Sequence, residues 1–237
     1  MKVFEVSLND NIHNEWNIVL SQNVDKMYDL IRKIENDEEI SINKDERIQM
    51  HLINIETNKK DRVEIPYESD ILYWSNDITL GAYSPYKGII ISKNLKNILS
   101  KYNLPPHFLY PVEIVNTETL EINDDYYLFY SIGKMIDLTL FNESEYTYFK
   151  RRKEIRKSIG DFDSYEDFDK EYDRVFDKES IKIKITKRVI STDYDLISSS
   201  LNYLCVKENF LVEKENLKGV VFKYVENIVV KKDVDEV

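Results

Sequence analysis

One cysteine, five glycines, five prolines and three histidines in 237 residues remove several classes of function at the outset. The lone thiol, Cys205, excludes an internal disulfide framework and every all-cysteine zinc site. The glycines, at positions 81, 88, 133, 160 and 219, fall in neither a G-x-G-x-x-G fingerprint nor a phosphate-binding loop, so nucleotide binding is not expected. No apolar run approaches the roughly 20 residues needed to cross a bilayer. The opening Met1–Asp10 alternates apolar and polar residues and then turns acidic, unlike a signal peptide. A soluble cytoplasmic protein without membrane contact is therefore expected. Basic residues are outnumbered, 33 against 44 acids, giving a formal charge of −11. Direct binding to nucleic acid or anionic lipid needs a basic surface, so a basic partner suits this chain better.

Sharper chemical motifs fail on inspection. Asp161-x-Asp163 matches the opening of a calcium loop, but the sixth and twelfth positions hold Glu166 and Tyr172 instead of glycine and glutamate. His13-Asn14-Glu15 has the H-x-E spacing of zinc deaminases, yet their Pro-Cys-x-x-Cys partner is impossible with one cysteine. His51 lies in an alternating strand and His107 follows two prolines, and each reads as a surface or hydrogen-bonding histidine. No metal, cofactor or catalytic residue is expected. With 44 carboxylates, close acidic pairs arise by chance, so none is nominated as catalytic.

What is present is a pattern written twice. Ile90-Ile91-Ser92, Leu95, Ile98, Leu99 and Leu104 recur 106 positions later as Leu196-Ile197-Ser198, Leu201, Leu204, Cys205 and Phe210. Each copy reads as a strand end, a serine that caps a helix, and a helix with one apolar face. Helix capping accounts for Ser92 and Ser198, neither of which sits in G-x-S-x-G. The second helix is expected over 198–208, with Cys205 buried on its apolar face.

Elsewhere the periodicity predicts strands at 2–8, 47–55, 71–74, 88–91, 108–115, 126–130, 181–185 and 217–225, and a helix over 22–35. The segments at 108–115 and 126–130 suit a hairpin or a neighbouring pair. The fold class is α+β, a mostly antiparallel sheet with packed helices and two related strand-Ser-helix units. One compact domain over 1–230 is expected, with a possible N-terminal subdomain at 1–65, a charged insert at about 142–180 and a frayed tail at 231–237.

The insert changes sign along its length. Lys150–Lys157 carries six basic residues and one acid. Residues 161–179 then carry nine acids and three bases, a net of −6. Tyr165, Phe168, Tyr172 and Phe176 recur three or four apart and predict an amphipathic helix with an aromatic stripe. Its acids form either a solvated face or a docking face for a basic protein, and burying the stripe would allow both. The candidate partner-binding residues are Asp161, Asp163, Glu166, Asp167, Asp169, Glu171 and Asp173. Among the 17 tyrosines, Tyr126, Tyr127 and Tyr130 are expected to divide between two faces of a strand. Tyr83, Tyr86, Tyr146 and Tyr148 are the better candidates for exposed contact.

Gly88-Ile89-Ile90-Ile91-Ser92-Lys93-Asn94-Leu95, then Phe108, Pro111-Val112, Ile136-Asp137-Leu138, Leu196–Leu201 and Leu217–Phe222 together resemble one bacterial group. They are similar to the immunity proteins of polymorphic toxin systems, types eleven and forty-three and their uncharacterised relatives. The resemblance covers roughly residues 71–225 and brings no catalytic residues. It implies a cytoplasmic, non-enzymatic protein that neutralises a cognate toxin by stoichiometric binding. Charge complementarity would suit a basic nuclease as that toxin. The insert departs from the group's pattern and is where specificity could lie. A hydrolase-like enzyme with dispersed carboxylate or tyrosine catalysts, and an adaptor module without a toxin, are the alternatives.

Overall fold

The computed structural model describes residues 1–8, 16–20, 48–54, 69–72, 74–75, 89–116, 119–131, 135–199 and 203–231, and at 16–20, 48–54, 74–75, 198–199 and 203 the backbone alone. The helix expected over 22–35, Tyr83, Tyr86, His13 and the tail beyond Lys231 lie outside these residues, as does most of the possible subdomain at 1–65.

Three sheets account for the described strands. The first runs β12 (Leu196–Ser199), β13 (Tyr203–Lys207), β1 (Val3–Leu8), β14 (Val220–Tyr224). The second runs β10 (Lys153–Ile159), β9 (Glu145–Lys150), β11 (Ile181–Ser191), β15 (Ile228–Lys231). The third and widest runs β4 (Ile71–Leu72), β6 (Ile89–Ser92), β8 (Ile122–Ser131), β7 (His107–Asn116), β3 (Ile48–Asn54), β2 (Trp16–Leu20), β5 (Trp74–Ser75). Pairing is antiparallel except between β2 and β5, β3 and β7, and β11 and β15. Helices α1 (Lys93–Leu99) and α2 (Tyr165–Glu179) pack on this framework, which makes the fold α+β as expected. β7 and β8 form the expected antiparallel pair, from His107 opposite Ser131 to Val115 opposite Ile122.

β1 sits inside the first sheet, and successive side chains of a strand point to opposite faces. Val6, Leu196, Leu204 and Val206 face Ile89, Ile91 and Phe129 of the third sheet and Leu95, Ile98 and Leu99 of α1. Val3, Ile197 and Cys205 face the other way, toward Ile190, Ile228 and Val230 of the second sheet. Each fully buried aliphatic side chain here contributes about 1.5–3 kcal/mol through removal from water.

The first copy of the repeated pattern folds as its spacing predicts. Ser92 is the N-cap of α1, its hydroxyl oxygen accepting from the Leu95 backbone N–H at 3.0 Å. Leu95, Ile98 and Leu99 form the buried face. The second copy does not repeat it. Ser198 lies within β12, and Leu204 and Cys205 lie in β13, followed by a 3-10 segment at Glu208–Asn216. Leu204-Cys205-Val206 is a continuous apolar run, and a strand covered on both faces needs such a run. Spacing alone cannot separate that from a short buried helix. Cys205 is buried as expected, 3% exposed, but in a strand.

Asp70 joins three chain segments. Its carboxylate, in a residue only 4% exposed, accepts from the Ser92 hydroxyl, from Asn94 Nδ2 at 3.2 Å and from the Lys218 backbone N–H at 2.7 Å. It thereby places a negative group at the start of α1, where the helix dipole favours it. The Lys218–Gly219 turn presses on the same spot. Gly219 has φ +64°, and a Cβ there would lie 2.5 Å from Ser69 Oγ, so only glycine fits.

Candidate functional site

The charged insert is built on β9. Tyr146 and Tyr148 point from one face of this strand, and Thr147 and Phe149 from the other. Phe141, Tyr146, Tyr148, Phe162, Val175, Ile181 and Ile183 form one core cluster, against which Phe168 and Tyr172 of α2 pack. Tyr146 and Tyr148 are 0% and 7% exposed, which corrects the expectation that they are surface contacts. Their sequence neighbours Glu145, Thr147 and Phe149 point from the other face of the strand, and the tyrosines themselves bury against α2. Burial pushes both phenols up to about 12. Tyr126 and Tyr127 do divide between the faces of β8: Tyr126 is buried and donates to the Ser69 carbonyl at 3.0 Å, while Tyr127 lies beneath Lys96 of α1.

α2 begins at Ser164, whose hydroxyl oxygen accepts from the Asp167 backbone N–H at 3.2 Å, and ends at Ser180 in the left-handed region, φ 54°. Glu166 and Asp167 occupy its first turn, where acids suit the helix dipole. The aromatic stripe anchors the helix mainly through its middle. Phe168 lies against Phe162 at 5.3 Å and against Phe141 and Tyr146 at 6.0 Å between ring centroids. At the stripe's ends Tyr165 and Phe176 stay 46% and 42% exposed.

This docking sorts the seven candidate acids. Asp163, Glu166, Asp167, Asp169 and Asp173 are solvent-exposed. Asp169 accepts a long hydrogen bond from the Tyr165 hydroxyl at 3.4 Å. Glu171 is held by Arg174 through two contacts of 2.6 and 2.7 Å, and that bonding lowers its carboxyl from the usual value. Asp161 is occupied within the fold, accepting from Tyr148 at 2.6 Å, Ser158 at 2.5 Å and Arg156 Nη2 at 3.0 Å. It is a hub joining β9, β10 and the lead-in to α2, whereas the other five make up an outward acidic face.

The basic run starts at the end of β9 and continues into β10, an outer strand of the same sheet that adjoins Asp161. β9 and β10 are joined by Arg151 and Arg152, with φ 50° and 67°. A two-residue hairpin loop with both residues at positive φ is ordinarily Asn-Gly. Holding larger residues there costs about 1–2 kcal/mol each. β10 is almost wholly exposed, with a bulge at Ile155 between Glu154 and Arg156. Arg156 turns back over the Tyr148 ring and onto Asp161.

Other readings also find their place. His107 shares a hydrogen bond between Nδ1 and the Pro105 carbonyl at 2.8 Å and stacks on Phe129, the hydrogen-bonding role expected of it. His51 is a β3 residue. Among the described residues no group of three or more His, Cys, Asp or Glu could hold a metal ion, and no helix is long and apolar enough to cross a membrane. The sequence reasoning missed Asp70 and Glu213. Glu213, 7% exposed, accepts from Asn216 at 2.7 Å and Tyr102 at 3.2 Å beside Lys101, and these partners lower its carboxyl. Neither has a sequence signal, because the partners lie up to 148 positions away. No family model, curated protein or solved structure matches the chain.

Proposed function

We propose that this chain is an immunity protein of a polymorphic toxin system, a non-enzymatic inhibitor that binds its cognate toxin one to one in the cytoplasm. The observation that carries this reading is the outward acidic face of α2, which Phe168 and Tyr172 anchor to the β-sheet beneath. Acids on an anchored helix cost little rearrangement on binding and steer a basic protein by long-range attraction. Asp163, Glu166, Asp167, Asp169 and Asp173 are the contacts, while Asp161 and Glu171 support the fold around them. A basic nuclease is the natural target, since carboxylates set where its substrate's phosphates bind would compete with that substrate. The resemblance of segments within residues 71–225 to immunity proteins adds to this reading.

The test is capture of partners from the native host, with tagged protein and the adjacent reading frames co-expressed and the complex washed at low and then high salt. The reading expects one stoichiometric protein that arrests growth when expressed alone and not when this chain accompanies it. Capture of no partner at either salt, or of one that is harmless alone, would overturn it.

A further inference from the structure

The second sheet ends on one side at β10, and among the described residues nothing pairs with its outer backbone edge. We propose that this edge docks an acidic, β-branched, extended segment of a protein partner as an added strand. The inference stands apart from the reading of α2, since it concerns a surface of opposite charge.

Three observations point the same way. β10 presents seven residues of strand, and along it Ile155 and Ile159 are 50% and 70% exposed. Among the described residues Lys150, Arg151, Arg152 and Lys153 form no ion pair, and Lys184 of β11 lies over the Phe149 ring. An open cleft of about 690 Å³ lies over the sheet face away from α2, lined by Glu145, Thr147 and Phe149 of β9, Thr186 of β11 and Lys157 and Ile159 of β10, and the side chains of an added strand that point to this face would meet its β10 rim. Backbone pairing supplies affinity in such strand addition, and side-chain pockets supply selectivity.

Charged side chains on an edge strand also serve to repel other strands. That role does not account for two exposed isoleucines, which invite pairing, nor for arginines at the two positive-φ positions of the turn, where Asn-Gly would fold more readily. A nucleic acid fits less well than a peptide. Phosphates make no use of Ile155 and Ile159, and a nucleic-acid backbone lacks the N–H and C=O groups that would continue the ladder at β10.

The experiment is fluorescence anisotropy of a labelled decapeptide of alternating Glu and Val, titrated with the whole protein at low salt. Saturable binding is expected, weakened at least tenfold when alternate valines become proline. It should also weaken tenfold in the double variant Ile155→Ser/Ile159→Ser. The variant Arg151→Asn/Arg152→Gly should bind more weakly although its turn folds more readily, so lost folding cannot explain the result. Circular dichroism monitors the fold of each variant. Absence of saturable binding, equal binding of the proline peptide, or equal or tighter binding of a ten-nucleotide oligothymidine would each overturn the proposal.

Discussion

Replacing Phe168 by alanine tests whether the aromatic stripe holds α2 in place. Phe168 touches Phe141, Tyr146, Phe162 and Tyr172, which makes it the ring with most neighbours on the helix. A fully buried Phe→Ala costs about 3–5 kcal/mol. Phe168 is only partly buried, so about 2–4 kcal/mol is expected for F168A. For a chain of this size each kcal/mol lowers Tm by about 2–4 °C, giving a fall of about 4–16 °C by circular dichroism. Tyr165→Ala at the exposed end of the stripe should cost less than about 1 kcal/mol, because little area returns to water. Hydrogen exchange supplies the second readout: in F168A the amides of Tyr165–Glu179 should lose protection before those of β1 and β13, which belong to other core clusters. Equal losses in the two variants, or unchanged exchange in α2, would refute the anchoring.

Three further outcomes follow from the framework. Asp70→Ala removes the acceptor shared by Ser92, Asn94 and the Lys218 N–H and should cost about 2–4 kcal/mol in urea unfolding, since it strands partly buried donors; a loss under about 1 kcal/mol would count against the hub. Gly219→Ala combines a left-handed backbone with a 2.5 Å approach to Ser69 Oγ and should cost about 2–4 kcal/mol, where neutrality would contradict the close packing. Glu213 has a folded value below its unfolded value of about 4.3, so its contribution is present above that pH and is lost as pH falls through the folded value. The urea midpoint of Glu213→Gln should thus lie below wild type at pH 7 and converge with it under strong acid; a gap independent of pH would contradict the assignment.

How much of this was legible in the sequence depends on how local the cause is. The cap at Ser92, the paired strands β7 and β8 and the stripe of α2 are written within a few residues and can be read directly, whereas β9 and β10 lie in a charged stretch with no strand pattern. The second repeat is not decided by its spacing, because Leu204 and Cys205 satisfy both a short helix and a doubly covered strand, and only the sheets on either side decide. Tyr146 and Tyr148 read as exposed from their turn-like and polar surroundings, although alternation in a strand puts their immediate neighbours on the far face. The acidic run was visible in full, but its division was not. Asp161 is taken up by Tyr148 and Ser158, contacts that follow from where the hairpin and the helix lead-in meet.

The role of the acidic face is decided by the affinity of the captured partner for the wild type and for the variant Asp163→Asn/Glu166→Gln/Asp167→Asn/Asp173→Asn. Among the described residues these four make no ion pair, and their neutralisation leaves the packed side of α2 intact. Binding about 10- to 100-fold weaker at low salt is expected, mostly through slower association, with the difference shrinking as salt screens the field. Unchanged affinity in a folded variant would contradict it.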